Sequence, residues 1–239
     1  MRVAGRCPVG HGSCVLVVLT REAGRNSQLR EWIGPEVHVV EVPLTMTAFR
    51  PLADVVADVR ELEHHGSFRS LVVTSARTSA YLDAAVASLA DDAKIFSAGP
   101  ATTQSLRERG LLVECEATGR SLELAASITR GPVLMVGAGA MRDELFRALV
   151  ARGLVVHRVV CYDTQPVTVS DEQREVLQRA DVLFVGAPSA WSVARDWTAP
   201  STWVIVPGPT TGDVVRLDHA RVLEGWGPRV GEQLAALAR

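Results

Sequence analysis

Cysteine, net charge and long apolar runs are all scarce in this sequence, and each shortage removes a class of protein. Four cysteines in 239 residues (Cys7, Cys14, Cys115 and Cys161) give no disulfide framework, so a reduced, cytoplasmic protein is expected. Cys7, His11 and Cys14 have a loosely metal-like spacing, but no fourth ligand follows nearby, and no metal is expected there. Residues 1–13 read as a flexible tail with no apolar signal core. The formal charge of −2 provides no global field to recruit nucleic acid or an anionic membrane. The longest apolar runs, such as Val15–Leu19 and Val182–Val185, are far too short to span a bilayer. There is no Walker A sequence, G-x-S-x-G elbow or H-E-x-x-H pair. Gly137-Ala138-Gly139-Ala140-Met141-Arg142 has arginine where a dinucleotide fingerprint needs its third glycine, and no acidic residue ends the next strand.

What is present is a rhythm. Strand-length apolar runs near 14–19, 36–42, 70–74, 93–97, 111–115, 132–136, 154–162, 181–185, 202–206 and 220–224 alternate with helical periods. That alternation predicts parallel α/β units. Two stretches, 36–42 and 154–162, run into Pro43 and Pro166, and proline cannot continue a ladder. Pairing them as strands that cross between domains predicts a first, discontinuous domain of 14–42 plus 164–239. A second domain of 44–153 is then inserted, with 36–43 and 154–166 as the linkers.

An internal repeat agrees with two similarly built halves. Gly99-Pro100-Ala101-Thr102 and Gly208-Pro209-Thr210-Thr211 both follow a strand, 109 residues apart. Upstream of each, Val72-Val73-Thr74-Ser75-Ala76 and Phe184-Val185-Gly186-Ala187-Pro188 correspond at an offset of 112.

Ligands of parallel α/β sheets bind beyond the carboxyl ends of the strands. Those ends read Thr20-Arg21, Thr74-Ser75-Ala76-Arg77, Ser97 through Thr103, Gly137 through Arg142, Gly186 through Ser189, and Pro207 through Thr211. Nearly all are small, hydroxylated or glycine, and each opens a helix whose free N–H groups favour carboxylate or phosphate. Helix capping accounts for any one such loop, whereas six on one edge suit a polyanion.

Taken in order, these loops resemble the uroporphyrinogen-III synthase family across residues 15–239. The resemblance rests on Val18-Leu19-Thr20-Arg21, Val73-Thr74-Ser75-Ala76, Gly99-Pro100-Ala101-Thr102 and Arg142 at a helix start. It continues through Val160-Cys161-Tyr162-Asp163-Thr164, which matches the family's V-x-Y-x-T, then Ala187-Pro188-Ser189-Ala190 and Gly208-Pro209-Thr210-Thr211. It implies two Rossmann-like or flavodoxin-like parallel-sheet domains joined by a two-stranded β linker. It also implies a cofactor-free lyase of tetrapyrrole (haem) biosynthesis, expected to act as a monomer. The substrate would be hydroxymethylbilane, which loses its hydroxyl and closes through a spiro intermediate with ring D inverted, giving uroporphyrinogen III. Tyr162 would be the acid. Thr20, Arg21, Thr74, Ser75, Ala76, Ser97, Gly99, Thr102, Thr103, Arg142, Ser189, Gly208 and Thr211 would hold the substrate.

Two departures stand out. Gly186-Ala187 replaces the family's Thr-Ser, and Gly137-Ala138 replaces its Arg-Gly. They leave room for an alternative, a non-catalytic module that binds a tetrapyrrole or another polycarboxylate.

Overall fold

The structure, a computed structural model, describes residues 15–34, 37–64, 66–117, 121–139 and 143–237. The segment containing Cys7, His11 and Cys14 lies outside the described residues, as does Arg142. Two compact units form. One comprises the described residues up to Met46 together with those from Gln165 onward, and the other is Thr47–Thr164.

Along the chain the first unit opens with β1 (Leu16–Leu19), α1 (Ser27–Ile33) and β2 (His38–Glu41). The strand β3 (Thr45–Phe49) leads into the second unit. There follow α2 (Leu52–Glu63), β4 (Phe68–Val73), a 3-10 helix at Ala76–Tyr81, α3 (Leu82–Ala87), β5 (Leu89–Ser97) and α4 (Pro100–Glu108). The unit continues with β6 (Val113–Glu116), α5 (Ser121–Ser127), β7 (Val133–Ala138), α6 (Asp143–Ala151) and β8 (Val156–Pro166). The chain then completes the first unit with α7 (Asp171–Gln178), β9 (Val182–Phe184), α8 (Pro188–Ala194), β10 (Trp203–Val206), α9 (Pro209–Val215), β11 (Val222–Glu224) and α10 (Arg229–Leu237).

Sequence chemistry explains the helix starts. Pro100, Pro188 and Pro209 each occupy the first turn of α4, α8 and α9, where a missing N–H costs nothing. Ser170 and Gln173 form a reciprocal capping box on α7, at 3.2 and 3.0 Å.

The first unit's sheet has the order β11-β10-β9-β1-β2, all parallel. Counted within the unit this is 2-1-3-4-5, the flavodoxin-like order, with its switch point between β1 and β9. The other sheet runs β3-β8-β7-β4-β5-β6. Its parallel strands β4 to β8 follow the order 3-2-1-4-5, which places the switch point between β4 and β7. Each sheet buries an apolar cluster on both faces, as parallel strands rich in Val, Leu and Ile require.

The expected pairing of 36–42 with 154–162 is not what forms. β2 joins β1 inside the first unit's sheet, and the neighbour of β8 is β3. The bonds Arg50 N–H to Cys161 O and Val167 N–H to Leu44 O make that pair antiparallel. Pro43 does end the β2 ladder, but Thr45–Phe49 starts a new strand two residues later. Between β4 and β5 the chain forms the 3-10 turn and then α3, and β5 begins at Leu89 rather than 93.

Candidate functional site

The carboxyl edge of the second unit's sheet gathers Thr74, Ser75, Ala76, Ser97, Gly99, Thr102, Thr103 and Tyr162. Register explains how Tyr162 arrives there. Val73 pairs with Val136, and Val136 with Val159, but the ladder shifts between Gly137, opposite Val160, and Ala138, opposite Tyr162. The extra residue is Cys161. A bulge of this kind turns the following side chain. As a result, Cys161 and Tyr162 both join the cluster around Tyr81, although successive strand residues ordinarily point to opposite faces.

Tyr162 is 4% exposed, and its ring has two partners. Phe49 packs against it at 5.8 Å, tilted by 54°, and the Arg77 guanidinium lies over it at 5.8 Å from the centroid. Among the described residues its hydroxyl has no hydrogen-bond partner. A phenol O–H whose ring is held and whose tip has no partner among the described residues suits proton donation to a bound group. Next to it, Gly139 N–H binds Tyr162 O at 2.9 Å. A Cβ on Gly139 would fall 1.9 Å from Asp163 Oδ1, so the glycine leaves room for that carboxylate. The neighbouring Cys161 thiol takes no comparable role, because burial pushes its pKa up to about 11.

The expected hydroxyl donors divide into two groups. Several are used internally. Thr20 is fully buried and donates to Phe184 O at 2.8 Å, while Ser97 and Thr103 bond each other in the core. Thr74 donates to Val136 O at 3.1 Å across the switch point, and Ser75 caps the 3-10 turn by accepting from Arg77 N–H at 3.2 Å. These residues build the edge. Among the described residues, the hydroxyls of Thr102, Ser189 and Thr211 have no such partner. Thr102 opens α4, Ser189 opens α8, and Thr211 lies with Gly208 at the start of α9.

In the first unit the edge carries Thr20, Arg21, Ser189, Gly208 and Thr211. Arg21 lies across Gly186 and its guanidinium sits 5.2 Å from the Trp226 ring centroid. Sequence reasoning did not select Phe49, Arg77 or Trp226. Arg77 was visible in the Thr74-Ser75-Ala76-Arg77 strand end, whereas Phe49 and Trp226 have no sequence signal. Among the described residues no group of three or more His, Cys, Asp or Glu is placed to hold a metal ion, and no helix is long and apolar enough to cross a membrane.

The family model described as uroporphyrinogen-III synthase HemD matches residues 34–222. The chain belongs to the uroporphyrinogen-III synthase family. Its fold is similar to a crystal structure of a mutant uroporphyrinogen III synthase from the extremely thermophilic bacterium Thermus thermophilus. The TM-score is 0.66 at 19% identity, covering 93% of this chain and 97% of that one. The uroporphyrinogen-III synthetase from Helicobacter pylori gives a TM-score of 0.60 at 16% identity, covering 94% and 100%. No curated protein sequence matches the chain significantly. A non-catalytic binding module is therefore not the favoured reading of this uroporphyrinogen-III synthase fold.

Proposed function

We propose that this chain converts hydroxymethylbilane to uroporphyrinogen III, with Tyr162 assisting departure of the hydroxyl. The observation that carries the assignment is the Tyr162 hydroxyl itself. A bulge sets its side chain at the carboxyl end of the β8 ladder with β7, Phe49 and Arg77 hold its ring, and no described residue occupies its donor. The phenol O–H hydrogen bonds to the leaving hydroxyl, which departs as water once protonated. The electron-rich pyrrole supplies the electron pair that breaks the C–O bond. Ring closure at the substituted carbon of ring D gives the spiro intermediate; the original bond from that carbon to its bridge then breaks and re-forms at the ring's other α-carbon, which inverts the ring, and the proton lost there restores the one Tyr162 gave.

Direct closure to the type I isomer needs no enzyme, so the protein's contribution is to hold the ring ends for attack at the substituted carbon. Thr102, Ser189 and Thr211 supply unengaged donors for the substrate's carboxylates, beside the backbone N–H groups that open α4, α8 and α9. Supplying enzymatically generated hydroxymethylbilane and separating the isomers by chromatography tests the reading. Type III product in excess of a no-protein control is expected, and a mixture matching that control would sink it.

A further inference from the structure

The aim of Tyr162 depends on a backbone irregularity, and a residue from outside β8 holds that irregularity in place. Cys161 is the extra residue of the bulge, and the carbonyls of the peptide groups before and after it both accept from Arg50. The backbone N–H of Arg50 donates to Cys161 O at 3.0 Å. Its guanidinium Nη1 donates to Val160 O at 3.0 Å. A bulge leaves its extra residue outside the ladder and disrupts the pairing around it. Here Arg50, just past the end of β3, supplies donors to both peptide groups.

The nitrogen that reaches Val160 also donates to Asp58 Oδ2 of α2 at 2.6 Å. A carboxylate holds a guanidinium more firmly than a neutral acceptor does, so α2 sets where Nη1 stands. The residue before Arg50 is Phe49, whose ring packs against Tyr162. Two consecutive residues therefore support the tyrosine by different routes, Phe49 through the ring and Arg50 through the backbone. Peptide groups are planar. Fixing the Cys161 carbonyl thus also fixes the plane on which the Tyr162 N–H and Cα are mounted.

We infer that Arg50 is a positioning residue for the proposed acid, clamping the bulge so that the Tyr162 hydroxyl is presented to the substrate, an inference that rests on the synthase reading above. No contact between Arg50 and hydroxymethylbilane is required. Its guanidinium is engaged by Asp58 and Val160, and its contribution passes through the placement of one hydroxyl. A misplacement of about 1 Å at a reacting group can cost roughly a hundredfold in rate. Losing the clamp can cost no more than losing the hydroxyl itself, so Tyr162→Phe sets the limit of the effect.

A double-mutant cycle read by type III formation tests the clamp. Arg50→Met keeps much of the side chain's bulk without its donors, and should lower kcat about tenfold with KM little changed. In a Tyr162→Phe background the same substitution should cost nothing further, because the hydroxyl it places is gone. Arg50→Lys should recover part of the rate, since both side-chain bonds leave a single nitrogen, which an ammonium can imitate. Asp58→Asn loosens the anchor at a half-exposed position. It should show the same background dependence at about threefold, and it carries the comparison if Arg50→Met does not fold. An equal loss in both backgrounds would make Arg50 structural and overturn the proposal, as would an unchanged kcat. A second readout needs no turnover. The chain has two tyrosines, so ring-labelled tyrosine gives NMR signals that Tyr162→Phe assigns. Arg50→Met should shift and broaden the Tyr162 ring signals, and unmoved signals would also overturn the clamp. Signals that move in a protein making no type III product would instead overturn the synthase reading and leave the hold of Arg50 on Tyr162 standing.

Discussion

The Tyr81 hydroxyl donates to the backbone carbonyl of Arg50 at 2.6 Å, so one of the two tyrosines in the chain is committed to structure while Tyr162 is not. Opposite consequences follow for the same substitution. Tyr162→Phe should keep its melting temperature and lose about tenfold to a hundredfold in the rate of type III formation, at or below the low end of general acid catalysis. Tyr81→Phe should keep its activity and lose about 1 kcal/mol of stability, the scale of one hydrogen bond whose acceptor is left without its partner. Stopped assays and denaturant melts on both variants check the pair.

Adjacent threonines on α4 should also part company. Thr102→Ala removes a hydroxyl with no partner among the described residues, so it should raise KM with stability unchanged, by the factor that about 0.5–1.5 kcal/mol allows. Thr211→Ala should do the same more weakly. Thr103→Ala instead strands the buried Ser97 hydroxyl and should destabilise the fold by roughly 1–3 kcal/mol. Comparing KM with the unfolding midpoint for the three variants distinguishes the roles.

Alkaline pH should weaken the fold through Cys161. Burial raises its pKa from 9.0 to about 11, so the folded state keeps the proton that the unfolded chain releases above pH 9. Stability from this group is complete below pH 9 and is lost progressively as pH rises towards 11. Urea melts at pH 8 and 10.5 should show the decline. Cys161→Ala, though weaker at pH 8, should show a flatter dependence.

Gly231 is the position where α10 touches α1. A Cβ there would lie 2.3 Å from the Trp32 backbone carbonyl, which cannot rotate away as a side chain can. Gly231→Ala should therefore cost roughly 1–3 kcal/mol by forcing the helices apart. A melting temperature equal to the wild type's would show that α10 repositions freely.

The sequence rhythm located most strands to within a few residues, because fully buried parallel strands announce themselves as apolar runs. β3 escaped it. Thr45–Phe49 is short, lies between Pro43 and Pro51, and alternates too weakly to separate from a loop. Its partner was consequently misassigned to 36–42. The site was legible as a set of strand ends but not as a set of contacts. A threonine that donates into the next strand, such as Thr20, looks the same in sequence as one with no partner among the described residues, such as Thr102. Tyr162 was found through the family motif, whereas the bulge that aims it depends on pairing with β7, which no local pattern encodes.

The interruption of the first unit sets an order of events on the ribosome. Val17 of β1 pairs with Val182 of β9, a partner 165 residues later. At roughly 5–20 residues per second, that partner is synthesised on the order of ten seconds after β1. The unit spanning Thr47–Thr164 has all its strands from β4 to β8 in hand well before then. Until β9 arrives, β1 lacks the neighbour it has in the finished sheet, and an unpaired apolar strand edge is a template for the wrong neighbour. Substitutions that slow closure of β9 onto β1 should therefore lower the yield of nascent chains more than they lower the stability of the finished molecule.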